Sequence, residues 1–136
     1  MYYELSLKVT KTNEQGNDKE IKEKYFVDGC ELFAEAELKG IQLYNNECEV
    51  ISIKQSKVRE FINERNEDKE ELIYIAVIED TYINENNGDT KKMKYEVGLF
   101  ADDMKNASRI THEYMKQGLN DMELVRIYKT NFLEII

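Results

Sequence analysis

Hydrophobic and polar positions alternate from the start of the chain. Tyr3, Leu5, Leu7 and Val9 interleave with Tyr2, Glu4, Ser6 and Lys8. A period of two with one apolar side predicts a half-buried β-strand. The stretch from Asn13 to Asp18 supplies Asn and Gly for a hairpin turn, where positive φ is needed. A second strand is predicted at about Ile21 to Val27. The period then changes. Phe33, Ala36, Gly40, Ile41 and Tyr44 fall three or four apart, which predicts a helix over roughly Glu31 to Tyr44 with one apolar face. Glu49 to Gln55 returns to strand character.

The second half repeats this order. Leu72 to Ile78 is almost continuously apolar, as expected of a strand buried on both faces near the middle of a sheet. Asn86-Asn87-Gly88-Asp89 is a strong turn signal. Lys92 to Phe100 is the next predicted strand. Asp102 or Asp103 is placed to cap a helix whose stripe is Met104, Ala107, Thr111, Tyr114 and Met115, and Gly118 is placed to end it. A last strand is predicted from about Glu123 to Phe132.

The halves also share wording. Lys22-Glu23-Lys24-Tyr25-Phe26-Val27 recurs 70 residues later as Lys92-Met93-Lys94-Tyr95-Glu96-Val97. Thr10, Asn13 and Glu14 recur at Thr81, Asn84 and Glu85, and Glu49-Val50-Ile51-Ser52-Ile53 parallels Glu123-Leu124-Val125-Arg126-Ile127. Three matches in the same order predict an internal duplication of a ββαβ unit. One such unit is marginal alone, because it leaves a sheet face or edge open. The expected product is one α+β domain with about six mainly antiparallel strands, two helices and pseudo-twofold symmetry. Repeat one is assigned to residues 1–56 and repeat two to residues 71–136. The intervening 57–70 is read as a charged linker, in which Val58, Phe61 and Ile62 make one short docked turn.

Length and composition suit this. A chain of 136 residues can form a core without disulfides or a structural metal. At 41% hydrophobic and 35% charged it is polar, yet its apolar runs recur throughout. The net charge of −9 disfavours nucleic acid and anionic membranes and favours solubility. Cys30 and Cys48 are not a CxxC pair and His112 is the only histidine, so no zinc site is expected. The N-terminus lacks the basic and apolar regions of a secretory signal, and no apolar run is long enough to span a membrane. The chain is read as cytoplasmic.

Tyr25-Phe26-Val27-Asp28, followed by Phe33-Ala34-Glu35-Ala36-Glu37, resembles a segment of an uncharacterised domain-of-unknown-function family. Ile53-Lys54-Gln55 running into Val58-Arg59-Glu60-Phe61-Ile62, and the apolar strand after the charged stretch, resemble that family too. Gly29-Cys30-Glu31-Leu32 departs from its pattern, which has small or hydroxyl residues before the helix. The resemblance implies a source among gut Bacteroidetes and their phages and supports the fold. It implies no catalytic residue.

The chemistry-bearing residues are sparse. Cys30 lies near a predicted helix start, where a thiol is activated, but a nucleophile needs a base and an orienting group, and only His112 is on offer. Asp80, Asn84, Asn86 and Asp89 invite comparison with a calcium loop, without its spacing or its bidentate Glu. There is no Gly-Lys-Ser/Thr loop, no GxGxxG and no GxSxG. No catalytic residue, metal or cofactor is assigned. The expected function is a non-enzymatic binding or interaction protein, with a protein partner or a second copy of itself in a homodimer. The alternative is a single-stranded nucleic-acid binder using Lys22, Lys24, Lys92 and Lys94, since lysines and aromatics on a sheet hold single strands. The net charge opposes that alternative.

Overall fold

The computed structural model describes residues 1–118 and 121–136. The fold is α+β, with two helices and eight strands among the described residues, in two mainly antiparallel four-stranded sheets. The chain forms two compact units. Met1–Ser56 and Asn131–Ile136 make the first, and Lys57–Thr130 make the second.

In the first unit, strands β1 (Tyr3–Thr12) and β2 (Asp18–Val27) form a hairpin, followed by helix α1 (Phe33–Leu43) and strand β3 (Cys48–Gln55). The alternation of β1 does what it predicts. Tyr3, Leu5, Leu7 and Val9 are buried with Tyr25, Val27 and Ala36 in one core beneath α1. Small residues let the helix approach: a Cβ on Gly40 would collide with the Leu5 side chain. The tight hairpin is closed by Asn13, whose side chain accepts from the Gln15 and Asn17 amides, and by Gly16 at φ +79°.

The second unit contains strand β4 (Val58–Phe61), the hairpin β5 (Leu72–Ile83) and β6 (Thr90–Ala101), helix α2 (Met104–Lys116) and strand β7 (Asp121–Lys129). Its core is Tyr74, Ala76, Ile78, Val97, Leu99, Ala101 and Ala107. Strand β5 lies between β6 and β7, which is why its sequence is almost continuously apolar. Asp103 caps α2 by accepting from the Asn106 amide at 2.8 Å.

Three expectations are corrected. The strands number eight rather than six. The last predicted strand divides: β7 ends at Lys129, and β8 (Phe132–Ile135) runs parallel to β2 in the first sheet. Periodicity could not show this, because the apolar pattern carries on across Thr130 and Asn131 while the chain changes sheets. The stretch read as a linker is built into the second unit. Strand β4 pairs in parallel with β6, and the Asn63 amide continues the pairing by giving to Phe100 O at 2.8 Å and accepting from Phe100 N at 2.7 Å. The Arg65 guanidinium lies 4.8 Å from the centre of the Phe100 ring, and its Nη1 donates to Glu71 O. The charged residues suggested solvation, but Arg65 and a few uncharged residues anchor the stretch. Phe61 sits opposite Gly98, where a Cβ would lie 2.5 Å from its ring. Glycine at 98 makes room for that ring.

With the strands in place, the sheet orders are β3-β1-β2-β8 and β4-β6-β5-β7. In each, a hairpin is flanked by the strand that follows the helix and by a short parallel strand. No helix among the described residues is long and apolar enough to cross a membrane.

Candidate functional site

Side chains alternate across a strand, so each sheet has one face under its helix and one away from it. In the second sheet Tyr74, Ala76 and Ile78 face α2, whereas Val77 and its paired neighbours face away. The register places Glu96 of β6 and Arg126 of β7 directly on either side of Val77, and Val58 of β4 opposite Glu96. A short valine between longer side chains makes a depression. It is a cleft of about 650 Å³ lined by Lys57, Val77, Lys94, Tyr95, Glu96, Val125 and Arg126.

The chemistry of that cleft is cationic. Lys57, Lys94 and Arg126 come from three separate segments, against the single carboxylate of Glu96. Glu96 Oε1 accepts from the Tyr128 hydroxyl at 3.3 Å, and the Arg126 guanidinium stands 4.9 Å from the centre of the Tyr128 ring. Tyr128 therefore ties the acid and the arginine across β5. In a chain of net charge −9 a local excess of positive charge is not a product of composition.

The four lysines singled out in the sequence are not brought together. Lys22 is exposed on β2 opposite Lys8. Lys24, half-buried, holds its ammonium 5.7 Å from the centre of the Phe132 ring. Lys92 lies 3.8 Å from Glu79. Lys94 alone lines the cleft. Tyr25 and Tyr95 are on the helix-facing side of their sheets, so they are not stacking platforms beside the lysines. Lys57 and Arg126 were missed. Lys57 lay in the presumed linker, and the place of Arg126 beside Lys94 depends on strand register, which no local pattern encodes.

Tyr25 instead belongs to a buried polar cluster. Glu23 is 6% exposed on the helix-facing side of β2. It accepts from the Tyr25 hydroxyl at 3.0 Å and from the Tyr44 hydroxyl at 2.9 Å, and Lys11 Nζ is 3.4 Å away. Burial alone would raise the Glu23 pKa, but the Tyr44 and Tyr25 hydroxyls and Lys11 together outweigh it and hold the carboxyl below its ordinary value. Burial, the other hydroxyl and the carboxylate push Tyr25 up. In the second unit Tyr114 donates to Glu60 Oε1 at 2.5 Å and is likewise raised by burial and by that carboxylate.

The remaining candidates have structural employment. Asp80 lies within β5, buried on the helix-facing side beside Tyr95, and so is not part of the turn. Asn84 and Asn87 accept from the backbone amides of Asn86 and Asp89, as hairpin turns require. No group of three His, Cys, Asp or Glu suited to a metal occurs among the described residues. Both cysteines are free thiols, and Cys30 is 7% exposed with Sγ 3.7 Å from Asp28 O. His112, exposed on α2, turns Nδ1 to Ser108 O at 2.7 Å. A buried thiol with no base in reach is shielded from electrophiles. Alkylation of Cys30 in the native protein is therefore expected to be at least about tenfold slower than in the unfolded chain, followed by mass spectrometry at neutral pH. Equal rates in the two states would show that the thiol is open to solvent.

No curated protein and no solved structure matches the chain. The family model of the domain of unknown function DUF4494 matches residues 1–136, and the chain belongs to that family.

Proposed function

We propose that this protein is a non-enzymatic binding protein that holds an anionic partner in the cleft of its second unit. The observation that carries the reading is the convergence of Lys57, Lys94 and Arg126, from three segments of a strongly acidic chain, on one depression. Three phosphate or carboxylate contacts suffice to recruit a polyanion, and their strength falls with salt. The proposal extends to a cytoplasmic setting, to a Bacteroidetes or phage source, and to an origin by duplication of a ββαβ unit. The duplication is supported by the matching sequence segments and the matching strand orders.

A second reading is single-stranded nucleic-acid binding. Lys94, from the repeated Lys-x-Lys-Tyr strand, is one of the three cations at the cleft, and this favours it. The test is fluorescence anisotropy of a labelled single-stranded oligonucleotide across a range of salt. Three contacts predict a log–log salt slope of about −2. Binding should vanish in Lys57→Glu/Lys94→Glu/Arg126→Glu and survive in Lys22→Glu/Lys24→Glu. Loss in the second variant alone would move the site off the cleft, and flat anisotropy in the unaltered protein would reject the polyanion reading.

A further inference from the structure

The surroundings of the cleft say more about its ligand than its charge does. One step along the strands from Val77 on the same face, Glu79 and Glu123 stand directly opposite each other on β5 and β7. Glu79 is already engaged by Lys92. One step the other way are Ile75, which is buried, and Gly98, its partner on β6. Arg126 thus shares the row of Val77 and Glu96, while Lys94 lies one row on, directly opposite Glu79. An extended polyanion running along the strands would pass these cations within two rows. In one direction Glu79 and Glu123 oppose it beside Lys94, and in the other it meets a buried apolar surface.

The interior of the cleft is mixed. Its floor is Val77 with Val125. A bare inorganic anion would leave that apolar surface uncovered. A volume of about 650 Å³ lies within the range of small-molecule sites, roughly 300–1,000 Å³. Arg126 offers a planar fork suited to two phosphate oxygens, and Lys57 and Lys94 add point charges. Three cations against Glu96 leave an excess of two charges, which matches a phosphate monoester dianion.

We infer that the cleft of the second unit binds a compact phosphate monoester carrying a planar or apolar body, of the size of a nucleoside monophosphate. The phosphate sits among Lys57, Lys94 and Arg126, and the body lies over Val77 and Val125. This inference rests on the proposed binding role of the same cleft and narrows it.

Isothermal titration of the full chain separates the two claims. Adenosine monophosphate, adenosine, inorganic phosphate and a short oligothymidylate are titrated in turn. The monophosphate should saturate one site per chain. Adenosine and inorganic phosphate should each bind about tenfold or more weakly, since each lacks one half of the contact. Arg126→Gln should weaken the monophosphate by about tenfold or more, with an unchanged melting temperature confirming that the variant folds. Val77→Glu should abolish binding by placing a carboxylate in the floor. Inorganic phosphate binding as tightly as the monophosphate would overturn the role of the apolar floor, and so the inference. Oligothymidylate binding that depends on the three cations, with no monophosphate binding, would overturn the inference and leave the cleft as a polyanion site. Binding of neither would remove both.

Discussion

Removal of Asn131–Ile136 should cost the first unit most of its stability. These six residues follow the whole second unit in the chain, yet they complete the first sheet. Phe132 stacks on Phe26 with ring centres 4.0 Å apart, and Phe26 is fully buried. Ile136 accepts from the Asp28 amide at 2.9 Å, donates to Phe26 O at 2.8 Å, and packs against the core under α1. Losing a buried aromatic contact costs about 3 kcal/mol or more, and orphaned backbone groups add to it. That is a large part of the 5–15 kcal/mol typical of a whole domain. Hydrogen exchange is the measurement. After truncation the β2 amides from Lys24 to Val27 should lose most of their protection, while the β5 amides keep more of theirs. Phe132→Ala should give the same pattern at about half the size. Unchanged protection in β2 would mean that β8 is not part of the first sheet in solution.

The second large effect concerns Glu23. Glu23→Ala leaves the buried Tyr25 hydroxyl, the half-buried Tyr44 hydroxyl and Lys11 without their common acceptor. Each orphaned buried group costs about 1–3 kcal/mol, so a loss of about 2–4 kcal/mol is expected by chemical denaturation. Glu23→Gln keeps an acceptor and should lose about half as much. The pH dependence follows from the direction of each shift. The Glu23 carboxyl is held below its ordinary value in the folded state. Its contribution is therefore present above the unfolded pKa, near 4.5, and is lost as pH falls through the folded value. Tyr25 and Tyr44 are raised above 10 in the folded state. Their contribution is present below the unfolded value and fades as pH rises beyond it. The unaltered protein should thus lose stability from this cluster at both ends. Glu23→Gln should flatten the acid limb. An acid limb of equal steepness in the variant would assign the acid sensitivity to other carboxylates.

The sequence made part of this legible, and the boundary has a physical cause. Alternation in β1, the apolar run of β5 and the turn residues after each located the hairpins β1–β2 and β5–β6, because a hairpin is a local structure whose register follows from its turn. The helices showed through their apolar stripes and through Asp103. Strands β4 and β8 were hidden, because what makes them strands is pairing with β6 and β2, far away in the chain. The same holds for the cleft. Lys94 was visible as part of a repeated motif, but its companions Lys57 and Arg126 reach it only through the order β4-β6-β5-β7. Tyr25 belongs to the first core, and its acceptor Glu23 stands in the sequence between two lysines. A carboxylate buried by two tyrosine hydroxyls carries no mark in a single sequence.

The proposed binding surface is the face of the second sheet around Val77. Backbone amide shifts of the labelled protein, recorded while a single-stranded oligonucleotide or adenosine monophosphate is added, test it most directly. Ligand in the cleft should give saturable shifts concentrated at Lys57, Val77, Lys94, Glu96 and Arg126, with the first unit unmoved. Shifts confined to β2 around Lys22 and Lys24, or no shift at Val77 and Arg126 at saturation, would contradict it.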